Sequence, residues 1–550
     1  MKIRLLALLM LLGVSTVFAQ KGPKNWFNLD KEKDGINGMS TERSYDELLK
    51  GKTSKTIIVA VIDGGVDPYH EDLKDVMWHN PGEIPNNGID DDHNGYVDDV
   101  YGWNFIGGKD GKNVGPDQLE VTRLYVMYKK KFGDSTDPSS LSKKERKEYN
   151  RYQEIKKEVL SKRKKAKENL QQMKDTKTRL GTALDALAEA LGDKPLTEEN
   201  LTAIDASGDP NLAMAINIAQ RAMAEGATSV KGLKEDIFDQ IQEGLDYYSS
   251  QVNYHYNPDF DARKIVGDHY NDLSEKYYGN NDIKGPDAFH GTHVAGIIAA
   301  NRNNNIGIKG VANNVKIMGV RVVPDGDERD KDVANGIRYA VDNGAKIINM
   351  SFGKAYAWNK DVVDKAVKYA AKHGVLLIHA AGNDAESNDI TDNFPNDMYH
   401  KHGFLGLGKK ICPTWMEIGA LSYKTGEDAV ATFSNYGKEQ VDIFAPGVAI
   451  YSTTPDNHYK DASGTSMASP AAAGSAALVL SYFPDLSAKQ LKAVIEMSGA
   501  KQNYSVKQPG TKELVPFSSL CKTGATVNNY RAIKLAQTMK GKRKKKNRIQ

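Results

Sequence analysis

The sequence predicts an α/β protein of three layers. A central, mostly parallel sheet is covered by helices on both faces, and a long α-helical insertion interrupts it. Three observations carry this expectation. Thr56–Asp63, Val315–Val323, Lys346–Ser351, Val375–Gly382 and Val441–Ala445 are short apolar runs rich in β-branched residues, the pattern of strands buried on both faces. Helical patterns at Asp332–Asn343, Asp361–His373, Thr465–Phe483 and Ala488–Met497 alternate with them, as parallel connections require. From 118 to 250 the strand-like runs vanish, and Lys, Glu, Gln and Ala dominate.

Taken in order, residues 1–19 read as a leader for export. Lys2 and Arg4 precede the apolar run Leu5–Leu12, and Val17-Phe18-Ala19 has the small residues of a cleavage site. The run is too short to span a membrane, and no later stretch reaches the roughly 18 apolar residues that a span needs. The protein is therefore expected outside the cytoplasm, extracellular or periplasmic, without a transmembrane anchor. Residues 20–55 form a polar, Gly-containing extension. The first part of the main domain covers 56–107 and carries an acidic loop at 86–99. A helical insertion follows at 108–281, the second part of the main domain at 282–540, and a basic tail at 541–550.

Within the insertion, Tyr152, Val159, Ala166 and Met173 recur every seven residues, but Lys162 and Asn169 break the second seam of a coiled coil. Long helices, with an antiparallel hairpin among them, are the expectation. Gly344 and Gly374 stand where helix C-caps belong.

The chain has 550 residues, 40% of them hydrophobic and 26% charged, which is ordinary for a folded protein with a large core. Residues 141–180 carry 15 Lys/Arg against 6 Asp/Glu, and the tail adds six more cations. The formal net charge is only +3, so the body of the chain is acidic. Both basic segments read most simply as solvated surfaces, so no specific nucleic-acid partner is expected. The two cysteines, Cys412 and Cys521, could pair in an oxidising compartment or stay as separate buried thiols.

The chemistry centres on Ser463–Pro470, S-G-T-S-M-A-S-P, which enters the Ala-rich run Ala471–Leu480. A serine on the first turn of a buried helix has unpaired backbone N–H groups beside it, suited to an oxyanion. A hydroxyl needs a base, and the base needs an orienting acid. His290, in H-G-T-H-V-A-G, can be that base, and Asp63, at the C-terminal end of the first strand, can be that acid. Asn383, closing A-A-G-N, can donate its amide to a developing charge. Singly, such an Asp caps a turn and such a Ser caps a helix; together and in order they suggest acyl transfer.

With these four motifs, V-I-D-G-G-V-D, H-G-T-H-V-A-G, A-A-G-N and G-T-S-M-A-S-P, the chain resembles the subtilisin-like serine proteases. The resemblance covers about 56–107 and 282–540. It implies a subtilisin-like fold, with Asp63, His290 and Ser466 as a triad and Asn383 as oxyanion donor. It also implies that Ser351, Phe352 and Gly353 bind substrate backbone as an added strand. His293 would be structural, and His379 could lie near the site. The chain departs from the family's pattern in having Gly64 where a hydroxyl residue usually supports the aspartate. It also places 227 residues between Asp63 and His290, and only about 36 between leader and core, where a pro-domain is usual.

Residues 90–99, D-D-D-H-N-G-Y-V-D-D, begin like a D-x-D-x-N-G cation loop. Asp90, Asp92, Asn94, Tyr96 (through its carbonyl) and Asp98 would be the ligands of a structural Ca2+, and an acidic solvated turn is the plainer alternative. The resulting expectation is a secreted serine endopeptidase acting on proteins or peptides through an acyl-enzyme. Its rival is a non-catalytic or latent binding protein of the same fold, whose helical arm recruits partners.

Overall fold

The computed structural model of the protein describes residues 22–134, 136–400 and 410–541. The leader at 1–19 and the basic residues from 542 onward lie outside the described residues. The chain divides into two compact units, Met1–Gly115 with Ala262–Gln550, and Pro116–Asp261.

In the first unit, the strands are β1 (Ile57–Asp63), β2 (Gly102–Asn104), β3 (Val315–Arg321), β4 (Ile347–Met350), β5 (Leu376–Ala380), β6 (Trp415–Leu421) and β7 (Ile443–Pro446). Among the described residues they join two short strands in one nine-stranded sheet. Its order is Ala500–Lys501, Ala525–Thr526, β7, β6, β5, β4, β1, β3, β2. All pairings are parallel except that of Ala500–Lys501 with Ala525–Thr526. The five apolar runs thus became strands. β6 lacked a clear signal because Glu417 and Gly419 interrupt its apolar run; Glu417 is nevertheless buried, satisfied by His379 and Trp415.

Side chains alternate along a strand, and this alternation orients the site. Val59 and Val61 of β1 join the core beneath the helices Phe289–Ala299 and Thr465–Tyr482. Ile62 points the other way, toward Gly336 in the helix Asp330–Asp342. Asp63 therefore shares the face of Val59 and Val61. The helix Asp330–Asp342 packs on Lys360–Lys372 and on β1 and β3.

The N-terminal extension is built into this core. Trp26, Phe27 and Met39 are fully buried. Trp26 donates its indole N–H to the Ala449 carbonyl at 3.2 Å. Asn529 donates its backbone N–H to Met39 at 2.7 Å and its amide to the Thr41 hydroxyl at 2.8 Å. Each buried side chain of this size stabilises the fold by about 1.5–3 kcal/mol.

The second unit is helical: Glu120–Phe132, Lys143–Leu191, Pro210–Ala224 and Val230–Ser250. Ser142 and Glu145 close a capping box at the start of the 49-residue helix, and Asp209 and Ser229 cap the later two. Tyr152, Val159, Ala166 and Met173 are all buried on that long helix. Leu184, Leu187, Ala215, Ala219 and Leu233 form a separate core.

The flanks 108–115 and 262–281 belong with the sheet unit. There Arg263 pairs with Asp268 and Asp332, and the buried Lys331 pairs with Asp268 and Glu275, so these residues are tied to the helix Asp330–Asp342. Cys412 and Cys521 are buried free thiols. Among the described residues, no helix is long and apolar enough to cross a membrane.

Candidate active site

Asp63 ends β1 with its side chain buried, and His290 stands in the first turn of Phe289–Ala299. His290 Nδ1 lies 2.7 Å from Asp63 Oδ1, which also accepts the Gly64 N–H at 2.8 Å. Glycines permit this approach. A Cβ on Gly291 would sit 2.2 Å from the Gly65 carbonyl oxygen, and one on Gly65, at φ +155°, would sit 2.2 Å from that of Lys284. Thr292 holds the helix in place: its hydroxyl accepts the Asp67 N–H at 2.8 Å, and its carbonyl accepts the Thr453 hydroxyl at 2.7 Å.

The imidazole is 41% exposed. Burial works against its charge, but the Asp63 carboxylate, its hydrogen bond and the Asp287 charge outweigh burial, and the histidine is shifted upward from its usual value.

Ser466 lies in the first turn of Thr465–Tyr482, whose Ala- and Gly-rich stretch lets it pack closely under the sheet. Its hydroxyl donates to the Ser351 carbonyl at 3.1 Å, and the Ser351 hydroxyl donates back to the Ser466 carbonyl at 3.0 Å. One turn on, Ser469 donates to Asn349 Oδ1 at 2.8 Å. Asn383 Oδ1 accepts the Thr465 N–H at 2.8 Å and its hydroxyl at 3.0 Å. The other half of that amide, Nδ2, is 3.5 Å from where a Cβ on Gly464 would stand. The fold thus gathers all four residues at the carboxyl ends of β1, β4 and β5, where α/β sheets bind ligands.

Ser351, Phe352 and Gly353 continue β4 past its end. Lys354 then makes two backbone hydrogen bonds with Phe394, both 2.9 Å. The side chain of Asn393 packs against Gly353 and donates to the Ala381 carbonyl at 3.1 Å.

His293 is buried, with Nε2 3.0 Å from the carbonyls of both Ile450 and Lys460. Burial pulls its pKa down to about 4. His379 is buried against Glu417, 2.8 Å from Nδ1, with the Phe352 ring edge-on at 6.3 Å. Two residues hydrogen-bonded to the site were not candidates in the sequence, Thr465 to Asn383 and Arg321 to the Gly64 carbonyl. Thr465 is hidden inside the serine motif, and Arg321, on β3, makes its contacts only through the fold.

The acidic loop is rearranged relative to the sequence expectation. Glu83, Asp90 and Asp92 converge, their ligand atoms all within 4.8 Å of one another. Glu83 Oε1 also accepts the N–H groups of Asp91 and Asp92 at 3.0 and 3.3 Å, and Oε2 that of Asp98 at 3.0 Å. Asn94 turns its NH2 to Asp92 and Asp99, because its oxygen accepts the Tyr96 N–H. Asp98 instead accepts the N–H groups of Asn87 and Gly88. The Tyr96 ring packs edge-on against Trp103 and Tyr339. Three close carboxylates repel one another, and an all-oxygen set of this kind fits a hard cation such as Ca2+.

Residues 54–513 match the Subtilase family. The thermophilic serine proteinase of Bacillus sp. (strain AK1) is 35% identical over 294 residues, which is 53% of this chain and 60% of that protein. Thermitase of Thermoactinomyces vulgaris is 37% identical over 237 residues, 42% of this chain and 76% of that one. Subtilisin DY of Bacillus licheniformis is 38% identical over 206 residues, 37% of this chain and 67% of that one. A family match over most of the chain, on a parallel sheet that gathers Asp63, His290, Asn383 and Ser466 at its strand ends, shows that the chain belongs to the subtilase family.

Proposed function

We propose that the protein is an exported serine endopeptidase whose triad is Asp63, His290 and Ser466. The observation that carries this reading is the 2.7 Å hydrogen bond from His290 Nδ1 to Asp63. It fixes the ring with Nε2 as the free, proton-accepting nitrogen. The Ser466 hydroxyl leaves the Ser351 carbonyl and attacks the carbonyl carbon of the scissile peptide bond, while its proton passes to His290 Nε2. Asp63 stabilises the imidazolium that results. The negative oxygen of the tetrahedral intermediate is held by the Ser466 N–H and the Asn383 amide. His290 then gives its proton to the leaving amine, and the acyl-enzyme forms. Water, deprotonated by His290, releases the acid and restores Ser466.

Protein substrates lie along Ser351, Phe352 and Gly353 as an added strand. Glu83, Asp90 and Asp92 hold a Ca2+ ion whose role is to neutralise the loop and stabilise the fold; the carbonyl of Tyr96 completes the set, and Asn94 and Asp98 brace the loop. Residues 1–19 direct export.

The test is casein hydrolysis by the wild-type chain and by Ser466→Ala. Hydrolysis by the wild type alone supports the reading. Equal, background-level rates from two folded proteins would favour a latent or binding protein.

A further inference from the structure

Arg321 is 2% exposed and ends β3, in register with Asp63 at the end of β1. Its guanidinium has no carboxylate within ion-pair distance among the described residues. Every hydrogen bond it makes goes to a neutral oxygen. Nε donates to the Gly64 carbonyl at 2.7 Å, Nη2 to that of Val114 at 2.6 Å, and Nη1 to Asn104 Oδ1 at 3.2 Å. Gly285, at φ +62°, lets the loop before His290 close over the group; a Cβ there would lie 2.3 Å from Nε. The charges of Asp282 and Asp287 favour the guanidinium from beyond ion-pair distance but burial outweighs them, so stability alone gives little reason for an arginine at this position.

Its surroundings supply a reason. The turn after Asp63 is Gly64-Gly65, the most flexible pair the chain could use. Asp63 Oδ2 is buried without a hydrogen-bond partner among the described residues. The Gly64 N–H holds Asp63 Oδ1, and the Gly64 carbonyl is held by Arg321.

We propose that Arg321 is a positioning residue for the triad: it clamps the Gly64–Gly65 turn and sets a fixed positive charge at the base of the turn that follows Asp63. This rests on the peptidase reading above. The charged and titratable groups acting on His290 are Asp63 on β1 and Asp287 and His293 on its own segment; Lys284, on the loop before it, is paired with Asp67 and Asp456. Arg321 adds a cation hydrogen-bonded to that turn through the Gly64 carbonyl. Loss of that cation makes the imidazolium easier to form, so the His290 titration moves to higher pH.

The experiment compares the wild type, Arg321→Gln and Arg321→Lys in the full chain. Gln keeps a donor for Gly64 without the charge; Lys keeps the charge with fewer bonds. Peptide hydrolysis gives kcat and KM. Proton NMR of His290 in a Ser466→Ala background gives its titration without relying on activity. The expectation for Arg321→Gln is a kcat about 10- to 100-fold lower, with KM nearly unchanged. The His290 midpoint should rise above that of the wild type. Arg321→Lys should keep the wild-type midpoint and recover most of kcat. A wild-type His290 midpoint in folded Arg321→Gln overturns the proposal. If Gln does not fold, a raised midpoint in Arg321→Lys also overturns it, because the charge is still present there. Absence of Ser466-dependent hydrolysis in the wild type would overturn the peptidase reading instead, and the NMR titration would still report on the charge.

Discussion

Asn383 Oδ1 accepts two hydrogen bonds from one residue, the backbone N–H and the hydroxyl of Thr465, at 2.8 and 3.0 Å. Two bonds on the oxygen fix the amide plane, so Nδ2 is held as a donor before any substrate arrives. A donor that needs no reorganisation acts mainly on the transition state. Asn383→Leu should therefore lower kcat by about 10²- to 10³-fold and leave KM nearly unchanged. Thr465→Val removes one of the two anchors and should cost less. Steady-state kinetics on one peptide substrate checks both, and an Asn383→Leu loss confined to KM would argue against the assignment.

The upward shift of His290 fixes the sign of the pH dependence. The ring accepts a proton from serine only when neutral, so kcat/KM should rise with pH through a midpoint above the usual imidazole value of about 6.5. Stability runs the other way. A histidine with a raised folded-state pKa contributes stability that is fully present below its unfolded pKa and is lost as pH rises through the folded one. Asp63→Asn removes the attraction; kcat should drop by about 10⁴-fold. A pH–rate profile of the wild type with its acid limb below 6.5 would contradict this account.

His293 is shifted in the opposite sense. Between its folded pKa of about 4 and its unfolded value near 6.5, the unfolded chain binds a proton that the folded chain refuses. Stability should fall as pH falls through that window, by about 3 kcal/mol in all from this one group. Urea unfolding at pH 7 and pH 4.5 measures the loss. His293→Asn should be less stable than the wild type at pH 7 and lose less on acidification.

The cluster Glu83, Asp90 and Asp92 predicts a metal-dependent melting temperature. A cation bound only by the folded form, at 100 times its Kd, adds about 2.7 kcal/mol. Chelation should lower Tm, and Ca2+ should restore it. Glu83→Gln with Asp92→Asn should lower Tm in Ca2+ and abolish the response to chelator. An unchanged response in the double variant would place the ion elsewhere.

The parts that could be read from the sequence were those carried by local pattern. The apolar runs gave β1, β3, β4, β5 and β7 because strands buried on both faces leave few polar interruptions, and β6 was hidden because Glu417 is buried with partners only the fold provides. Asp63, His290, Asn383 and Ser466 stood out through their short flanking motifs. Glu83 did not. It lies seven residues before Asp90, outside the loop spacing, and meets the other carboxylates only when the turn closes. Asn94 and Asp98 fit the spacing, yet their side chains serve the loop's own backbone. Arg321 was silent for the same reason as Glu83: its three partners, Gly64, Asn104 and Val114, are more than 200 residues away in the chain. The extension at 20–55 read as polar, and the burial of Trp26, Phe27 and Met39 depends on surfaces supplied by the last third of the protein.

Labelling with a serine-reactive fluorophosphonate, followed by mass spectrometry of the modified peptide, tests the central claim most directly. The account predicts one adduct per chain, on Ser466, formed rapidly in the wild type and at least about 10³-fold more slowly in a folded His290→Ala variant. An unlabelled Ser466 in the folded wild type, or equal labelling without His290, would contradict it.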